Sequence, residues 1–168
     1  MRNSVVVVLL AIVIVAALGV CMSFCSVDNG LKGEKLSFYE YHVGNGYSGR
    51  SYEYSIYLKD TTVVASIKEC NYLMMDANDT IPCKEHVVSG VPREMLDTIG
   101  KLLVDANVHR WESHYTNPDV MDGDSWSITV AFGDEKYWSG GYMAWPKGDP
   151  TRTINEMICR VCGQRQNE

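Results

Sequence analysis

The sequence predicts an α+β fold: an N-terminal membrane helix, then a two-layer domain with an antiparallel sheet packed against two helices. Three observations carry that reading. An unbroken apolar run extends from Val5 to Met22. Several later segments alternate apolar and polar residues with period two and are joined by short turns, the mark of half-buried strands in hairpins. Two further segments repeat apolar residues every three or four positions, the mark of one-sided helices. The expected order after the leader is β-β-β-β-α-β-β-α.

The leader comes first. Arg2 precedes the apolar run, and Phe24-Cys25 extend it past Ser23. As a helix, Val5–Cys25 would rise roughly 30 Å, about the thickness of a bilayer's hydrocarbon core. Residues 1–25 therefore read as a signal peptide or a transmembrane anchor. Ala17 and Gly19 offer small residues for cleavage, and Leu18-Gly19-Val20-Cys21 resembles a lipobox, with Cys21 as the acyl acceptor. The positive charge lies before the run, so the body is expected outside the cytoplasm, in a bacterial cell envelope or secreted. The membrane is thus an expected partner through residues 5–25.

Charge limits the other partners. The chain has 15 Lys and Arg against 21 Asp and Glu, a formal net charge of −6. The leader holds only Arg2, so the body is more acidic still. Without a basic stripe, such a surface repels nucleic acid and anionic lipid. Residues 26–35, with Gly30 and Gly33, read as a linker. Residues 36–168 read as a single domain, long enough to bury roughly two-thirds of its unfolded surface.

Each element has a local cause. Leu36–Val43 is aromatic and suits a strand, and Gly44–Gly49 suits a turn. Tyr52, Tyr54, Ile56 and Leu58 then alternate with Glu53, Ser55, Tyr57 and Lys59. Val63, Ala65 and Ile67 make the hairpin partner, and Cys83–Ser89 a fourth strand. Pro92 suits the first turn of a helix carrying Met95, Leu96, Ile99, Leu102, Leu103 and Ala106 on one side, with Asn107 as its stop. Residues 109–124 read as a polar connector. Trp126, Ile128, Val130 and Phe132 alternate into a strand, and residues 136–145 return beside it. Thr151 is expected to cap the last helix, whose stripe is Ile154, Met157, Ile158 and Val161, with Gly163 ending it.

Residues 122–146 carry a resemblance. Asp122-Gly123, Trp126-Ser127 with the alternation to Phe132, a charged turn, and Gly141-Tyr142-Met143-Ala144-Trp145-Pro146 before a closing helix resemble small uncharacterised exported, lipoprotein-like bacterial proteins. The resemblance implies an envelope protein. It implies no activity and no site residue.

The chemistry-bearing residues are few. Cys70, Cys83, Cys159 and Cys162 allow two disulfides in an exported chain, with the pairing left open. Cys159 and Cys162 close the last helix, where the dipole disfavours a thiolate. Asp119, Asp122 and Asp124 lack the later Glu of a calcium loop and suit a turn. His109 and His114 stand five apart, not the four that suits zinc on a helix. No cofactor or metal is expected. Exposed aromatics suit recognition, because they bury much area at little entropic cost, and Tyr57, Trp111 and Tyr115 are the candidate binding residues. The expected function is a non-catalytic extracytoplasmic module that binds a protein or glycan. The rivals are an envelope hydrolase or metal-dependent enzyme using His109, His114, Asp122 and Asp124, and a structural envelope lipoprotein.

Overall fold

The computed structural model describes residues 30–31, 33–75 and 80–163. The leader, with its membrane-helix reading and Cys21, lies outside the described residues. Among the described residues, no helix is long and apolar enough to cross a membrane. The chain divides into Met1–Gly30 and Leu31–Glu168, and the second unit is described below.

Among its described residues that unit is α+β, with seven strands and two α-helices. The strands are β1 (Leu36–Asn45), β2 (Arg50–Lys59), β3 (Thr62–Asn71), β4 (Cys83–Val91), β5 (His114–Thr116), β6 (Asp124–Phe132) and β7 (Glu135–Tyr142). The helices are α1 (Arg93–Asp105) and α2 (Thr151–Val161). The sheet order is β4-β3-β2-β1-β6-β7-β5. Every pairing is antiparallel except β5 with β7, which is parallel. Six strands match the expected order. The seventh, β5, falls in the stretch read as a connector. It is three residues long and packs only Tyr115 against the core, so its sequence has no room for a periodic pattern.

Short turns close the hairpins for local reasons. After β1, Asn45 Oδ1 accepts the Ser48 N–H at 2.8 Å. Between β2 and β3, Asp60 takes a left-handed φ of 55°, which Asp tolerates better than most residues. Asn107 does the same after α1, at φ 54°, and stops the helix where the sequence indicated.

Both helices cover one face of the sheet. Leu96, Ile99 and Leu103 of α1 join Ile154 and Ile158 of α2 in one buried cluster. The sheet supplies Tyr39, Tyr41, Tyr54, Ile56, Ala65, Ile67, Trp126, Ile128, Val130 and Phe132 to it. Each large side chain of this kind contributes about 1.5–3 kcal/mol on burial. Leu31 also enters the cluster, 1% exposed, so the core begins within the stretch read as a linker. Against α1, a Cβ built on Gly100 would stand 3.0 Å from Leu36 Cβ; the glycine lets helix and strand approach. Within the core, the Tyr39 hydroxyl donates to Asn155 Oδ1 at 2.8 Å. Burial pushes that phenol's pKa well up, followed by the neighbouring Tyr41, so it stays a donor.

The cap of α2 differs from expectation. Thr151 is its first residue, and the capping acceptor is Asp149: Oδ1 takes the Thr151 N–H at 2.9 Å and Oδ2 the Thr151 hydroxyl at 2.8 Å. Two residues upstream, Asp149 reaches back across Pro150, which has no N–H to offer. Burial raises the Asp149 pKa, opposed by those two hydrogen bonds. Between the ordinary carboxylate value and the raised one, the folded chain binds more protons than the unfolded chain. Stability from this group therefore falls as pH rises through that window. Asp149→Asn keeps an acceptor without the buried charge. It is expected to lose that pH dependence and to melt no lower than the parent at pH 7, whereas Asp149→Ala loses about 1 kcal/mol. Thermal unfolding followed from pH 3 to 7 checks both.

Candidate functional site

The sheet's second face carries no helix among the described residues. Directly paired residues share a face, so the registers define what stands there. One row across β3, β2, β1 and β6 is Val64, Tyr57, Phe38 and Ala131. The next, from β4 to β7, is Val87, Ser66, Ser55, Glu40, Thr129 and Trp138. A third runs Glu85, Lys68, Glu53, His42 and Ser127. The face thus grades from an apolar row to a row of mostly alternating charge, with opposite charges facing across strands.

Its apolar members stand apart from the core. Val64 is only 5% exposed yet lies outside the core cluster. Phe38 and Tyr57 stack obliquely, ring centroids 6.4 Å apart. The Ser55 and Ser66 hydroxyls satisfy one another at 2.8 Å. Trp138 and Val87, at the two sides of the face, are each 55% exposed. Trp138 stands diagonal to Ala131 at the end of the apolar row, so the two together form a continuous apolar strip of the kind that a partner covers.

Of the three candidate aromatics, Tyr57 lies on this face. Trp111 and Tyr115 lie on the other side, packed against the core. The Trp111 indole donates to the Ala106 carbonyl at 3.0 Å, tying the segment after α1 to the helix end. Tyr115 stacks on Trp126 at 6.0 Å, and Trp126 on Tyr41 at 6.3 Å. Alternation identified Tyr57 because β2 is long. Trp111 and Tyr115 sit where no alternation could say which way they turn. Trp138, Phe38 and Val87 were missed as site residues. The available signal for Trp138 was its offset by one from the core-side Tyr137 along β7.

The four side chains of the enzymatic reading are not brought together. The His109 ring meets Tyr137 edge-on at 6.4 Å, and Tyr137 pairs with core-facing Val130. His114 pairs with Gly140, which faces Ser127 of the helix-free side. The sheet therefore stands between the two imidazoles. His114 Nε2 is 2.7 Å from the Thr116 hydroxyl, while both His109 ring nitrogens are buried without a hydrogen-bond partner. Asp124 Oδ1 accepts from Asn45 Nδ2 at 2.6 Å. It lines an open hollow with Val43, Asn45, Ser48, Arg50 and Tyr52 that contains no imidazole. Asp122 is exposed. Among the described residues, no three His, Cys, Asp or Glu side chains are grouped to hold a metal ion.

The four described cysteines resolve into one bridge and two thiols. Cys70 and Cys83 are disulfide-bonded, while Cys159 and Cys162 are reduced. Burial, then the nearby Cys159, pushes the Cys162 thiol up, away from the thiolate that redox or metal chemistry needs.

No family model matches the chain, and no curated protein is found similar to it.

Proposed function

We propose that this chain is an exported or membrane-tethered module of the bacterial envelope that binds a protein partner through the helix-free face of its sheet, without catalysis. The observation that carries the reading is the apolar row Val64, Tyr57, Phe38 and Ala131, which the core does not use, with the half-exposed Trp138 in the next row beside it. The width of the face and its cross-strand charges suit a protein surface better than a sugar chain, which is usually held in a cleft. Two features support the location. The leader has the length and polarity of an export or anchor sequence. The Cys70–Cys83 bridge suits an oxidising compartment.

A photo-crosslinking amino acid placed at Tyr57 or at Trp138 of the full chain, in its native membrane, tests the proposal. Both positions are expected to yield the same discrete protein adduct. Thr98, exposed on α1, is expected to yield none. Adducts at Thr98 equal to those at Tyr57, or none at either sheet position, would sink it.

A further inference from the structure

We propose that the outer edge of β4 is the surface on which a second copy of this chain adds, strand against strand. This does not depend on the binding role proposed for the sheet face. β4 ends the sheet, and its only strand partner among the described residues is β3. The outward N–H and C=O groups of such a strand are a template for another chain. The opposite edge is closed down to the three residues of β5. β4 is also exposed over most of its length: Cys83 to Val87 are all exposed, as are Ser89 and Gly90, while Val88 and Val91 pack toward the core. Among the described residues, no strand lies beyond it to block the approach of another.

Charge argues that the occupant is a like chain. Two copies of an acidic protein repel, and they approach most cheaply where charge is balanced. On β4, Lys84 offsets Glu85, and no other Asp, Glu, Lys or Arg occurs from Cys83 to Val91. The register follows from geometry. A two-fold axis normal to the sheet keeps both helix layers on one side and pairs residues antiparallel. Centred on Glu85, it would oppose two carboxylates. Centred on Val87, it sets Val87 opposite itself, His86 opposite Val88 and Glu85 opposite Ser89. That register covers the half-exposed Val87 with its own copy. The register irregularity near Gly90, whose φ is +80°, and Pro82 and Pro92 confine the free ladder to Cys83–Ser89. A ladder so short gives a contact at the small end of specific interfaces, hence a concentration-dependent dimer.

Thiol cross-linking of the full chain in its membrane tests this. In the Val87 register, two Cβ atoms lie about 4.5–5.5 Å apart, so Val87→Cys is expected to give a disulfide-linked dimer under mild copper-phenanthroline oxidation, at least tenfold above the unsubstituted chain. Trp138→Cys, on the far side of the sheet, is expected to stay at background. Without added thiols, Val87→Lys, which opposes two ammonium groups, is expected to lower the dimer association constant at least tenfold by analytical ultracentrifugation, with an unchanged circular dichroism spectrum. Background-level dimer from Val87→Cys, equal dimer from Trp138→Cys, or a Val87→Cys adduct with a different protein would overturn the proposal.

Discussion

Gly141→Ala is expected to destabilise this domain by about 3 kcal/mol or more. A Cβ at Gly141 would stand 2.8 Å from the Ala144 carbonyl oxygen, 2.8 Å from the Trp126 indole nitrogen and 2.8 Å from the Tyr115 carbonyl oxygen. Two of the three are backbone atoms in separate segments, and the third is held in place. The Trp126 indole donates to that same Ala144 carbonyl at 2.7 Å while its ring is stacked between Tyr41 and Tyr115. No flexible side chain can move aside, so β5, β7 and the loop after β7 must separate. Overpacking typically costs about 1–3 kcal/mol; three rigid clashes at one methyl place this substitution at or above the top of that range. A neighbouring change calibrates it. Trp126→Phe removes the indole donor but keeps a ring, and is expected to cost less, about 1–3 kcal/mol for the buried carbonyl left unpaired. Urea unfolding of both variants checks the ranking. A Gly141→Ala midpoint at or above that of Trp126→Phe would show that the crossing is not rigid.

Removing the Cys70–Cys83 bridge is the second large effect expected. The two cysteines are 13 residues apart and pair directly across β3 and β4. They close the longest connection within the first four strands. A cross-link over a loop of this size stabilises by roughly 3 kcal/mol, chiefly by restricting the unfolded chain. Cys70→Ser/Cys83→Ser is therefore expected to lower the free energy of unfolding by that amount, with a larger urea m-value as the unfolded state expands. Because the bridge fastens β4 at its first residue, hydrogen exchange is expected to rise along Cys83–Ser89 before it rises in β1 or β6. Uniform exchange across the sheet would mean that the bridge acts on the whole domain and not on the β4 edge. Under reducing conditions the parent should move toward the double variant, since Cys159 and Cys162 are already thiols.

The folding code was legible where elements are long. Eight residues of β2, from Tyr52 to Lys59, display four alternations, enough to place Tyr57 opposite the core without a structure. The stripe of α1 named Leu96, Ile99 and Leu103, all of which are buried, and the left-handed Asn107 ends the helix as read. The code failed where elements are short or where the cause is nonlocal. β5 is held by its parallel pairing to β7, which lies some twenty residues later in the chain. Asp149 caps α2 from beyond a proline, a position that resembles a loop residue in the sequence. The aromatics at Trp111 and Tyr115 were legible as aromatics but not by the side they take. The candidate site was half legible for the same reason: Tyr57 could be read, but its neighbours Phe38, Val64, Val87 and Trp138 share a face with it only through strand registers.

By itself, the chain's order of residues determined the longer secondary elements of residues 36–163, their apolar sides and the α+β class, because periodicity is a local property that survives without tertiary contacts. Which strands neighbour one another, which cysteines meet, and which polar and aromatic groups share a surface were decided only by the fold. Those depend on register across segments distant in the chain, and a one-residue slip in any strand would turn every side chain on it to the other face.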